Sequence, residues 1–292
     1  ACMGSPIEGE GLIPLGVQVT GPNTNCFDFD PNDPDHDAPP DTELPQFGQF
    51  CQLAFAGENL GSGEGGFLRL FDDGSSQCST TNISGEDTGG PGRLLRDEIA
   101  DGGANTTCYV APPGASCDGV PDDWPYGDVV NYCVWPKTQT FNNPTQNAFT
   151  TMLEGEGECD ALFGNGDGTD DWLEVVEAVD GDPSPSPTTT FARRACKSPR
   201  LINLIIIKQF CDGVDCNGNA PQPILAFASF YIQSCKVTEK STGTEYEFPD
   251  CDIKGVGSIG QAGLYGFFMN VLNIGTIGAY NGYGQRSLAL WE

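Results

Sequence analysis

Residues 196–237, CKSPRLINLIIIKQFCDGVDCNGNAPQPILAFASFYIQSCKV, decide how the rest of the chain is read. Two apolar runs, 201–210 and 224–232, lie on either side of an insert rich in Cys, Gly, Asn and Pro. In an extended first run, Ile202, Leu204, Ile206 and Phe210 share one face, and Leu201, Ile205 and Ile207 share the other. A strand with one wet face alternates apolar and polar residues, whereas a run apolar on both faces belongs to a strand covered on both sides. A short buried helix is the competing reading. The Ile, Phe and Tyr content and the proline-rich boundaries favour strands. The two runs are therefore expected to form a central β pair, and no catalytic motif lies within them.

Outward from this pair, composition sets the fold class. With 39 Gly and 22 Pro in 292 residues, the chain calls for many turns and short strands and not for a helical bundle. The expected fold is α+β and β-rich, a central, mostly antiparallel sheet with a few short helices and long disulfide-bonded loops. The net charge of −28 is uneven: residues 1–191 hold 33 acids and 4 bases, and 192–292 hold 8 acids and 9 bases. So acidic a body repels phosphates, which argues against nucleic acid as a partner, and it attracts divalent cations. The Pro/Ser/Thr stretch 181–191 is the clearest composition break. It divides an acidic, loop-rich region (1–180) from the β pair and an uncharged Gly-rich segment (192–292), with a single interwoven domain as the other arrangement.

Thirteen cysteines with a single histidine, His36, and no CxxC pair give no zinc, iron–sulfur or haem pattern. They point to disulfides and an oxidising, extracellular setting, with at least about ten of them bonded. Spacing suggests Cys211 with Cys216 across the turn, Cys117 with Cys133 around an Asp-rich loop, and Cys196 with Cys235 at the open end of the β pair. The odd cysteine is expected to be Cys2, left free, lipid-linked or intermolecular. The chain opens without a signal-peptide pattern, so the sequence reads as a mature product.

Other segments carry local signals. Residues 15–20, 50–56 and 66–71 read as strands, and GSGEGG between the last two reads as a turn, without the lysine of a nucleotide-binding loop. Residues 93–100 read as a helix closed by Gly102, and 144–154 as a helix with Pro144 at its start. Asn82 and Asn105 begin glycosylation sequons. Two acidic loops have oxygen ligands at alternating positions suited to Ca2+. One holds Asp28, Asp30, Asn32, Asp33, Asp35 and Asp37; the other holds Asn165, Asp167, Thr169, Asp171 and Glu174. Counted from Asn165 as position one, the second loop lacks the glycine of an EF-hand at position six. A structural reading of the same residues makes Asp171 an N-cap and Glu174 its capping-box partner, ahead of a helix with Trp172, Val175, Val176 and Val179 on its apolar face.

From 255 to 285 no residue is charged, yet Asn270, Asn273 and repeated glycines interrupt the apolar content and argue against a membrane span. Leu264, Tyr265, Phe267, Phe268, Val271, Leu272 and Ile274 need cover, and a contact between subunits is expected to supply it.

Four pieces, GLIPLGVQV (11–19), residues 65–70, WPKTQTFNNPTQNAFTTML (135–153) and SPRLINLIII followed by ILAFASFYIQSC (198–235), resemble the TadE/TadG-like proteins of tight-adherence pilus assembly. Three features depart from that family: its N-terminal anchoring helix has no counterpart, Lys137-Thr138-Gln139 replaces a Pro-Gly-Asn run, and the uncharged stretch 255–285 has no equivalent in it. The resemblance implies an envelope-associated protein of bacterial surface machinery and supplies no catalytic residues.

The function expected from the sequence is thus non-enzymatic: a secreted or cell-surface scaffold, or a filament or sheath subunit, stabilised by disulfides and Ca2+. Its partners would be copies of itself or other surface proteins. A Ca2+-dependent carbohydrate-binding or adhesion module, with Trp124, Trp135 and Trp172 as platforms, and a secreted hydrolase are the alternatives. Neither a GxSxG nor an HExxH motif supports the last.

Overall fold

The structure, a computed structural model, describes residues 12–18, 50–56, 66–68, 93–102, 133–134, 143–155, 157–179, 181, 184–186, 189, 192–207, 222–269 and 271–272. The fold is α+β and rich in strands, built on a mixed, mostly antiparallel sheet with a few short helices. Strand β6 (Leu201–Ile207) is buried at every residue, as its two-faced apolar pattern requires. It pairs antiparallel with β7 (Gln222–Glu239), from Leu201 opposite Tyr231 to Ile207 opposite Ile224. The sheet runs β1 (Leu12–Gln18), β6, β7, β9 (Ile259–Met269), β2 (Phe50–Ala56), and only the β1–β6 pairing within it is parallel. Its members thus come from both sides of 181–191. The expected strand at 66–71 is reduced among the described residues to Phe67 and Leu68, bridged to β1 through Leu15.

β7 is twice as long as its apolar run because it contains a bulge. Opposite β9, Ile232 faces Gly266 and Ser234 faces Tyr265, so Gln233 is the extra residue. The slip moves the inward positions from Phe230 and Ile232 to Cys235 and Val237, all four in one core. Lys236 then points outward, where its ammonium lies 3.8 Å over the Tyr265 ring. Read without the bulge, residues 233–239 lose the alternation of a strand.

On the other side of β7, β6 begins at Leu201 opposite Tyr231, and β8 (Glu245–Phe248) ends with Phe248 opposite Cys235. Between them the carbonyls of Ile232 and Gln233 have no strand to meet. The guanidinium of Arg200 (4 % exposed) fills the gap: its Nη1 donates to the carbonyls of Ile232 and Gln233 at 3.3 Å and of Pro249 at 3.2 Å. Its Nη2 reaches Asp250 at 3.1 Å. Asp250 is mostly exposed, so the ion pair adds little; the satisfied carbonyls matter more.

Two cores sandwich the sheet. On one face, α1 (Arg93–Ala100) and α2 (Asn143–Leu153) lay Leu95, Ile99, Phe149 and Met152 against Ile13, Ile202, Leu204, Phe230 and Phe268. Gly102, with φ +63, ends α1 in the left-handed conformation expected of a closing glycine. On the other face, Cys159, Val175, Val176 and Cys196 cover Leu201, Tyr231, Phe267 and Met269. No helix among the described residues is long and apolar enough to cross a membrane.

Three expectations are corrected. Cys196 and Cys235 are both disulfide-bonded, but not to each other: Cys159 pairs with Cys196 and Cys235 with Cys251. Cys235 lies on the α1/α2 face of the sheet and Cys196 on the opposite one, so the sheet separates them. Second, the helix expected after Asp171 is a single turn, α4 (Trp172–Val175). Val176 opens β4 (Val176–Ala178), because β5 (Ala192–Arg194) offers a ladder partner to a β-branched run. Third, the described part of the segment assigned to subunit contacts belongs to the chain's own core. Leu264, Phe267 and Phe268 in β9 and Val271 in β10 (Val271–Leu272) are at most 5 % exposed, and Tyr265 is half-buried beneath Lys236. The Leu272 side chain, Ile274, Cys117, Cys211, Cys216, the Cys133 side chain of β3 (Cys133–Val134) and Cys2 lie outside what is described.

The close backbone approach anticipated from the glycines occurs, with β7 as the neighbour: a Cβ on Gly266 would sit 2.0 Å from the Tyr231 carbonyl oxygen. Gly266→Ala should therefore destabilise the protein by about 3 kcal/mol, the upper end for overpacking, because backbone must move; urea unfolding measures it. Deleting residues 256–292 removes β9 from between β7 and β2. We expect that truncated chain to lose its sheet signal in circular dichroism instead of yielding folded monomers.

Candidate cation-binding loop

Helix α3 (Cys159–Phe163), a glycine-rich loop and α4 form a helix–loop–helix over the second core. The span 158–174 carries six carboxylates, Glu158, Asp160, Asp167, Asp170, Asp171 and Glu174, and no Lys or Arg. The loop is folded by these groups accepting its own N–H donors. Asp160 accepts from Gly166 at 2.8 Å and from Gly168 at 2.9 Å. Asn165 Oδ1 accepts from Asp167 at 2.9 Å, and Asp167 Oδ1 from Thr169 at 2.8 Å. Glu174, only 8 % exposed, accepts from Asn165 at 3.2 Å and from Asp171 at 2.9 Å, the latter being the return half of the expected capping box.

The same residues also fit a second register of the ligand pattern. With Asn165 as position three, Asp167 is five, Gly168 six, Thr169 seven, Asp171 nine and Glu174 twelve, the EF-hand order. Gly168 has φ +82, the conformation that position six demands. Position one falls on the apolar Phe163, and Asp160, three residues earlier, sends its carboxylate into the loop instead. Sequence reasoning missed both Asp160 and Gly168; the run Gly-Asp-Gly at 166–168 held the signal for the second.

All the donors in the set are oxygens, which is the chemistry of calcium and not of zinc or copper. Their present aim is at backbone N–H groups. Among the described residues no three Asp, Glu, Cys or His side chains converge closely enough to hold a metal ion. The first acidic loop, Asp28, Asp30, Asn32, Asp33, Asp35 and Asp37, lies outside the described residues.

Beneath the loop Asp170 ties it to the sheet. Its Oδ1 accepts from the Asp160 N–H at 2.8 Å at the start of α3, and its carbonyl accepts from the Tyr231 hydroxyl at 2.7 Å. Tyr231 stacks on Phe267, with ring centroids 5.3 Å apart, and Trp172 meets the same ring edge-on at 6.1 Å. Trp172 is partly buried against the second core; Trp124 and Trp135 lie outside the described residues.

Burial pushes the Tyr231 hydroxyl well above its ordinary value of 10.0; Arg200 opposes the shift, and Asp171, Asp170 and Glu174 add to it. The folded state therefore holds this proton more tightly than the unfolded state. Its contribution is complete below about pH 10 and is lost as pH rises from there toward the raised folded value. Tyr231→Phe should cost about 1–2 kcal/mol at neutral pH by leaving the Asp170 carbonyl unpaired, and should flatten the loss of stability between about pH 9 and 11. Urea midpoints of both proteins across that range test it.

No family model matches the chain, and neither a curated protein nor a solved structure matches it.

Proposed function

We propose that this chain is a non-enzymatic, extracellular structural protein of a bacterial cell surface, a scaffold or a filament or sheath subunit, whose acidic helix–loop–helix takes up Ca2+. The observation that carries the extracellular setting is the placement of the cystines. Cys159, Cys235 and Cys251 are fully buried and Cys196 is 8 % exposed, so both bonds are part of the packed interior. A core completed by disulfides needs an oxidising compartment to reach its native state. The ligand order Asn165, Asp167, Gly168, Thr169, Asp171, Glu174, with Asp160 beside it, supports the cation. The bacterial surface role rests on the sequence likeness to TadE/TadG-like proteins. Partners in this reading are further copies or other surface proteins, met through faces other than β9, which is interior.

Thiol titration and thermal melts of the full chain, purified unreduced, test the reading together. At most about three free thiols are expected, since cysteines of exported chains pair. Calcium at about 100 times its dissociation constant should add about 2.7 kcal/mol, or roughly 5–10 °C in melting temperature. Glu174→Gln should abolish most of that gain. A chain with most thiols free refutes the extracellular part, and melts identical in chelator and in millimolar calcium refute the cation.

A further inference from the structure

We infer that the Cys159–Cys196 bond is a redox-dependent latch that orders the helix–loop–helix without being needed for the sheet. The inference builds on the oxidising setting proposed above and adds when, and by what, the loop is assembled. Taken alone, the element has little to hold it. α3 has five residues and α4 has four, both far below the roughly 12–15 that a free helix needs. Six carboxylates within 158–174, with no base among them, repel one another.

The attachments to the body are unevenly spread. At the α4 end, Val175 and Val176 enter the second core, and Ala195 N–H donates to the Val175 carbonyl at 2.9 Å. At the α3 end, the only buried residue of the helix is Cys159 itself. Beside it, Glu158 N–H donates to the Lys197 carbonyl at 3.0 Å, next to the other half of the cystine. The residue after Cys159 is Asp160, whose carboxylate holds the Gly166 and Gly168 N–H groups. Freeing Cys159 therefore leaves the α3 end to hydrogen bonds, Glu158 N–H to the Lys197 carbonyl and Asp160 N–H to Asp170 Oδ1, with no buried side chain of the helix to back them. The sheet keeps its ladders and its α1/α2 face, neither of which includes this bond.

The chemistry is thiol–disulfide exchange with a protein or small-molecule disulfide. The two thiols, Cys159 and Cys196, give up two electrons and two protons to the donor, which leaves as two thiols, and one S–S bond replaces another. A chain still in a reducing compartment carries an open loop; the loop closes on export.

Hydrogen exchange of the full chain, read peptide by peptide, tests this. In Cys159→Ala/Cys196→Ala, amides in 158–175 should exchange at least about tenfold faster than in the unreduced wild type, while those in 201–207 and 228–239 stay as protected as before. Cys196→Ala alone, which leaves the Cys159 side chain to pack, should open the same span. Unchanged protection in 158–175 in either variant overturns the inference, and so does equal loss of protection in β6 and β7, which would make the bond a global staple. A failure of the extracellular reading shows instead as free thiols in the protein as purified; wild type oxidised in vitro then serves as the reference, and against it the same exchange pattern is expected.

Discussion

β7 runs for eighteen residues, and its peptide groups need hydrogen-bond partners while most of the side chains described along it are buried. That requirement organises the molecule. On one side β6 and then β8 supply partners, and on the other β9 does so, with β3 reaching the first residues. Where β6 stops and β8 has not begun, a side chain completes the ladder: the Arg200 fork does for two carbonyls what a strand does elsewhere. The bulge at Gln233 lies at the same point. One residue out of step thus places Cys235 inward, where it bonds Cys251, and Cys251 is held at φ +56 by that bond and by its neighbours. Its carbonyl takes the Thr150 hydroxyl of α2 at 3.1 Å, so the disulfide loop and the helical layer are joined.

How much of this the sequence disclosed depends on whether the cause was local. β6 was legible because an Ile-rich run apolar on both alternating faces favours a strand over a short buried helix, and α1 because an amphipathic octet is followed two residues on by Gly102. The full length of β7 was not legible, since a bulge erases the period-two pattern at the place where it matters. Val176 looked helical after a good cap; the ladder offered by β5, sixteen residues on, overrode it. For β9, a charge-free run proclaims that it will be covered but carries no mark of whether the cover is its own sheet or another copy.

The candidate loop was legible in composition, and a second register of its ligand pattern was not. Taking Asn165 as the first ligand hid the glycine at 168 and the carboxylate at 160, because a ligand pattern whose first position has moved back into a helix no longer fits a linear template. Disulfide partners were the least legible feature. Loop length alone pairs Cys196 with Cys235, but the sheet lies between them, and which face each cysteine occupies is a property of the tertiary fold.

β4 and β5 are antiparallel neighbours, with Glu177 and Arg193 in contact across them at 2.6 Å, so the chain that leaves β4 comes back beside it. The Cys159–Cys196 bond straddles the same connection. A single backbone break between these strands would therefore yield two pieces that remain one covalent body, separable only after reduction.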